Sequence, residues 1–154
     1  MEKRDVGRFI SKLYELRFFP ENAESFTLEN LDLEETQEME EINEKMSKAV
    51  EIWQEEGDKS DTDNCPLYQN YERLSKEYDL MDQALINNHF VKLGKYTVGT
   101  ERLVEEYRVI VHFEDYGIYL RADGGWTSYE GPCDFDRWYQ VKPVEKTYID
   151  YEPI

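Results

Sequence analysis

Cysteine is nearly absent from this chain. Cys65 and Cys133 are the only two in 154 residues, and neither belongs to a C-x-x-C pair or a zinc-finger spacing. A disulfide framework and a closed zinc site are therefore not indicated. Histidine is as scarce, with only His89 and His112 to supply imidazole ligands. No run of residues approaches the length of an apolar span across a bilayer. The charged opening Met1-Glu-Lys-Arg-Asp5 leads into an amphipathic stretch rather than an uninterrupted apolar segment, which argues against a secretory signal. These absences predict a chain of the reducing cytosol, away from the membrane. The phosphate-binding and hydrolase signatures G-x-x-x-x-G-K-[ST], G-x-G-x-x-G and G-x-S-x-G are missing too. Positive charge is the largest deficit: 18 Lys and Arg stand against 35 Asp and Glu, a net charge of −17. Such a field repels nucleic acid and anionic lipid and attracts cations or basic protein surfaces.

What is present suffices for a core. Hydrophobic residues make up 40 % of the chain and aromatics 14 %, enough apolar surface to offset the conformational entropy lost on folding. Val6, Phe9, Ile10, Leu13 and Leu16 fall at helical spacing over residues 4–17, in a segment made basic by Lys3, Arg4, Arg8, Lys12 and Arg17 and stopped by Pro20. Met39, Ile42, Met46, Val50 and Trp53 form one stripe of a helix expected over 30–56, capped by Asn30 or Asp32 and followed by Gly57. Leu67, Tyr71, Leu74, Tyr78, Met81 and Leu85 repeat the pattern from Pro66 to about Asn88, with Asn87 or Asn88 as a left-handed end. Two such stripes joined by a polar loop predict an antiparallel helical hairpin.

After Phe90 the texture changes to Val, Ile, Tyr and Trp punctuated by Gly and Pro. Tyr107, Val109, Val111 and Phe113 alternate with Arg108, Ile110, His112 and Glu114, the two-residue period of a half-buried strand. Asp115-Tyr-Gly117 and Asp123-Gly-Gly125 suggest turns, giving a meander of 107–114, 117–122 and 126–130 with further strands near 137–142 and 146–151. The expected fold class is α+β: N-terminal helices, dominated by the long hairpin, packed on a C-terminal antiparallel sheet. With no internal repeat and no Gly/Ser linker, 1–154 reads as one domain, helical over 1–90 and β over 91–154.

The acidity is local. Residues 21–63 hold 16 acidic side chains and three basic ones, a net −13. Glu34, Glu35, Glu38, Glu40, Glu41, Glu44, Glu51, Glu55 and Glu56 lie off the apolar stripe of the second helix. At ~1.5 Å per residue that helix would be roughly 40 Å long, comparable in charge density to a DNA strand with one phosphate per ~3.4 Å. A rod of carboxylates can occupy a groove built for phosphates. The competing explanation is a solvated face, since Glu is a good helix former.

Other chemistry fares worse. Asp58, Asp61 and Asp63 resemble the opening of a calcium loop, but with Asp61 at position one Pro66 would occupy the place that needs Gly. His112, Glu114 and Asp115 are close in sequence, yet a strand puts only His112 and Glu114 on one face, which suits a surface histidine better than a catalytic one. Cys133 has no neighbouring His to activate it. No catalytic residue, metal or cofactor is assigned, and no enzyme activity is expected. The C-terminal aromatics, with Tyr119 and Trp126 as candidate contacts, suit a protein interface better than nucleic-acid stacking, because no basic stripe accompanies them.

A small, acidic, cysteine-poor chain without catalytic motifs resembles, in size and composition, phage-encoded anti-defence proteins such as anti-CRISPRs and DNA mimics, and bacterial immunity proteins that neutralise basic nucleases. The resemblance implies a cytoplasmic inhibitor that binds a basic nucleic-acid-binding protein, such as a defence nuclease; the charge pattern assigns that contact to Glu34, Glu35, Glu38, Glu41, Glu44, Glu51 and Glu55 and argues against direct binding of nucleic acid or membrane. The alternative is a structural or adaptor protein whose Tyr/Trp-rich sheet makes protein or homodimer contacts.

Overall fold

The computed structural model describes residues 3–154. Met1 and Glu2 of the charged opening lie outside the described residues, as do the side chains of Lys3 and Arg4. The fold is α+β, with α1 (Lys3–Glu15), α2 (Leu28–Leu31), α3 (Gln37–Glu56) and α4 (Pro66–Phe90) preceding the strands β1 (Tyr96–Arg102), β2 (Glu106–Phe113), β3 (Ile118–Thr127), β4 (Gly131–Cys133) and β5 (Tyr139–Val141). The chain forms two compact units: Met1–Ser25 with Leu93–Ile154, and Phe26–Lys92.

In the first unit α1 turns Val6 and Leu13 inward and ends two residues earlier than its stripe suggests. Arg17 takes the left-handed conformation (φ 58°), its N–H bonds the Tyr14 carbonyl at 3.0 Å, and the Phe18 N–H bonds the Leu13 carbonyl at 2.8 Å. This paired closure satisfies the last carbonyls of the helix and swings Phe18 into the core. Phe18 and Phe9 pack against Phe113 with ring centroids 5.7 and 5.0 Å apart. Trp138 closes the core from the other end of the sequence, donating its indole N–H to the Phe18 carbonyl (2.9 Å) and its backbone N–H to the Tyr14 hydroxyl (3.0 Å).

The sheet is antiparallel, in the order β1-β2-β3, and both β4 and β5 pair with β3. Tyr107, Val109, Val111 and Phe113 of β2 and Ile118, Leu120 and Ala122 of β3 are buried, and the residues between them are half-buried, as the alternation predicted.

Three expectations for the sheet need correction. A strand the pattern missed, β1, pairs along the whole of β2; its exposed edge carries Thr97, Gly99, Thr100 and Glu101 rather than an apolar alternation. Asp123-Gly-Gly125 is no turn. It lies inside β3, opposite Arg108, Tyr107 and Glu106, and marks where the strand changes partner from β5 (through Tyr119–Arg121) to β4 (through Gly125–Thr127). A Cβ on Gly124 would stand 2.7 Å from the Phe135 ring and 2.8 Å from the Cys133 carbonyl oxygen, so glycine is there for a close approach. Residues 146–151 form no strand. The Asp115–Gly117 turn does occur, with Gly117 at φ 62°.

In the second unit the expected helix over 30–56 is broken. Asn30 belongs to the start of α2: the Thr27 side chain accepts from the Asn30 N–H and the Asn30 side chain from the Thr27 N–H. Asp32 is left-handed at φ 60°, and the Leu33 N–H bonds the Leu28 carbonyl at 2.8 Å, ending the helix at once. The chain then restarts at Thr36, whose hydroxyl accepts from the Met39 N–H and caps α3. Pro66 begins α4 as expected, but Asn87 and Asn88 stay helical; a 3₁₀ turn, Val91–Leu93, follows, and Gly94 takes the left-handed position instead (φ 66°). α3 and α4 pack as the predicted hairpin, burying Met39, Ile42, Ala49, Leu74 and Ile86. Among the described residues no helix is long and apolar enough to cross a membrane.

Candidate functional site

With α3 starting at Gln37, its 20 residues make a rod of about 30 Å, not 40 Å. Its buried residues Met39, Ile42 and Ala49 define the inner face, and at ~100° per residue Glu40, Glu41, Glu44, Glu51 and Glu55 fall on the opposite side. All five are exposed. Glu38 lies in the first turn, where the helix dipole favours it, and flanks this face rather than sharing it.

Glu34 and Glu35 are not on the helix at all. They sit in the segment between α2 and α3, exposed. Glu35 is occupied: the Tyr78 hydroxyl of α4 donates to its Oε1. That hydrogen bond, with partial burial and the nearby carboxylates of Glu35, Asp82 and Asp79, pushes the Tyr78 hydroxyl up to about 12. Burial, followed by the charges of Asp79 and Glu35, also raises Asp82. The sequence pattern marks Tyr78 only as a member of the apolar stripe; its link to Glu35 spans 43 residues and leaves no local signal.

The two long helices handle their charges differently. On α4, Arg73 pairs with Glu77 at 3.7 Å and Lys76 with Glu72 at 3.5 Å, each one turn apart. On α3, Lys45 and Lys48 stand at pairing distance in sequence from Glu41, Glu44 and Glu51, yet among the described residues no ion pair involves an α3 carboxylate. On that face the Gln37 amide donates to Glu41 at 3.3 Å. A row of like charges held one turn apart costs a few tenths of a kcal/mol for each close pair; a cationic surface laid along it would remove that cost.

The aromatic candidates are less free than expected. Tyr119 of β3 stacks on His112 of β2, centroids 4.0 Å apart and planes 2° from parallel. Trp126 is engaged twice: Tyr107 stacks on it with centroids 5.5 Å apart, and the Arg102 guanidinium lies 4.0 Å from its ring centroid. Its indole N–H is buried without an acceptor. Beside them, burial would raise Asp123, but Arg121 and Tyr139 donate hydrogen bonds to it, both at 2.6 Å, and hold it below the usual carboxylate range. The most exposed rings are Tyr129, Tyr148 and Tyr151.

The loop after α3 uses its own donors. Asp58 accepts from the Ser60 N–H and hydroxyl at 2.9 and 2.6 Å, and Asp61 accepts from the Asn64 amide at 2.8 Å. Among the described residues no group of three His, Cys, Asp or Glu is placed to hold a metal. Both cysteines are free. The Tyr68 amide N–H lowers the thiol of Cys65 at the start of α4, whereas desolvation and the charges of Asp134 and Glu130 raise that of Cys133. No protein-family model matches this chain, and neither a curated protein nor a solved structure similar to it was found.

Proposed function

We propose that the chain is a non-enzymatic cytosolic inhibitor that binds and blocks a basic nucleic-acid-handling protein, in the manner of the anti-defence proteins and DNA mimics it resembles in size and composition. One observation carries this reading: the outer face of α3 presents Glu40, Glu41, Glu44, Glu51 and Glu55 exposed and without cationic partners, while α4 pairs its own charges. Over about 30 Å a DNA strand would offer roughly nine phosphates. α3 offers fewer charges on that face, so the partner is held by a partial match in charge spacing and not by a full replica of the duplex.

The test is capture from a bacterial lysate at low salt, comparing the native chain with the combined variant Glu41→Lys, Glu44→Lys, Glu51→Lys, Glu55→Lys. The native chain should retain a nucleic-acid-binding protein, release it as salt rises toward 1 M, where screening falls to ~3 Å, and inhibit its binding to DNA. The variant should lose at least tenfold in affinity. Retention by the variant, together with loss on Tyr119→Ala, would instead assign the contact to the sheet.

A further inference from the structure

The hairpin has an open seam beside the acidic face. Asn43, Met46, Ser47, Val50 and Glu51 of α3 and Tyr71 of α4 line a groove of about 380 Å³. Met46, Val50 and Tyr71 belong to the apolar stripes expected in the core, yet all three are only half-buried. The apolar floor extends toward the loop end of the hairpin, where Tyr68 lies between Tyr71 (centroids 6.0 Å) and Trp53 (5.1 Å). Asn43 to Glu51 is about two helical turns, ~12 Å. One wall of the groove is Ser47 and Glu51, and Glu44 and Glu55, a turn before and after that wall, belong to the outer carboxylate face. Apolar floor and anionic wall thus lie side by side on one helix.

We infer that this groove receives an amphipathic, basic α-helix of the partner protein, its apolar stripe on Met46, Val50 and Tyr71 and its Lys or Arg side chains against Glu44, Glu51 and Glu55. Two packed helices leave a lengthwise seam that a third helix fills with the same knobs and grooves, and a groove with an apolar floor reads residues at i, i+3, i+4 and i+7. Charge complementarity selects a basic occupant: Phe26–Lys92 carries 18 acidic side chains against six basic ones. The inference rests on the reading of α3 as a surface for basic proteins and adds what that reading lacks, a shape requirement on the partner. Carboxylates alone accept any cationic surface; a groove accepts only a helix that can place apolar groups at the right period.

The experiment uses the full chain and two fluorescently labelled peptides of Leu and Lys, about 18 residues each, with identical composition. One is patterned for a helix and the other alternates as a strand. Fluorescence anisotropy should show the helical pattern binding at least tenfold more tightly, and the combined variant Val50→Ser, Tyr71→Ala should erase that difference while the salt-dependent attraction of both peptides persists. Both side chains are partly solvent-facing, and circular dichroism of the variant should show its helices intact. Equal affinities for the two peptides, or a helical preference that survives the groove variant, would overturn the inference and leave the charge reading intact. Failure of both peptides to bind would overturn it as well, and the lysate capture judges the charge reading separately. A dimer of this chain that dissociates when the helical peptide is added would show the groove to be filled by a second copy, and would also overturn it.

Discussion

Gly124→Ala, set against Gly99→Ala, separates a glycine required by packing from one that is merely tolerated. Neither glycine has a positive φ, so alanine strains the backbone at neither position. At Gly124 the new methyl would stand 2.7 Å from Phe135 Cδ1 and 2.8 Å from the Cys133 carbonyl oxygen. Both gaps must open by about half an ångström or more to reach ordinary contact. The Phe135 ring can pivot, but the carbonyl belongs to β4 and moves only with the pairing of Gly125 to Cys133. Overpacking of this kind costs about 1–3 kcal/mol. For a chain of this length each kcal/mol is worth about 2–4 °C, so a cost of about 2 kcal/mol lowers the melting temperature by about 4–8 °C. At Gly99 the nearest atom to the new methyl is the Ile110 carbonyl oxygen at 4.0 Å, and alanine should be neutral or stabilise by up to about 1 kcal/mol through the unfolded chain. Differential scanning fluorimetry reads both, and adding Phe135→Ala to Gly124→Ala should recover only part of the loss attributed to the methyl, because the carbonyl remains. Equal melting temperatures for the two single variants would refute the close-approach argument.

Trp138→Phe removes the buried hydrogen bond to the Phe18 carbonyl; chemical denaturation should show a loss of about 0.5–1.5 kcal/mol, and no loss would refute a stabilising role for that bond. Tyr78 should be the last tyrosine to ionise in an absorbance titration, close to pH 12. Because its folded value lies above the unfolded one near 10, the hydroxyl's contribution is complete below pH 10 and is lost as pH rises through 12, so a stability gap between native chain and Tyr78→Phe at pH 8 should shrink by pH 11. A gap that widens would contradict the bond to Glu35. Reversing Glu41, Glu44, Glu51 and Glu55 to Lys should leave the helical signal unchanged and raise, or at least not lower, the melting temperature at low salt, since like charges one turn apart are relieved; a fall of several degrees would mean that these carboxylates hold the fold together.

Periodicity made much of the architecture legible. The stripes of α3 and α4 and the alternation of Tyr107 to Phe113 are local records of which face is buried, and the structure buries Met39, Ile42, Leu74, Val109 and Val111 accordingly. The break between α2 and α3 was less visible, because Asn30 and Asp32 are plausible caps for a helix that follows and equally good closures for one that precedes. β1 was missed because an exposed edge strand has little reason to alternate. Concentrated acidity was plain from composition. Which carboxylates share a face depended on where α3 begins, and that removed Glu34 and Glu35 from the rod and left Glu38 at its flank.

By itself the sequence determined an acidic α+β chain with a helical hairpin, an antiparallel sheet and a negative charge concentrated in residues 21–63. These are properties of composition and of spacing within a few residues, and hydrophobic burial enforces them wherever the chain goes. Only the tertiary structure decided that Gly124 makes room for Phe135 and Cys133, that Trp126 meets both Tyr107 and Arg102, that Glu35 is taken by Tyr78, and that Met46, Val50 and Tyr71 stay half-open. Each of those outcomes depends on groups brought together from separate elements, and a side chain's local spacing carries no information about which distant partner will reach it.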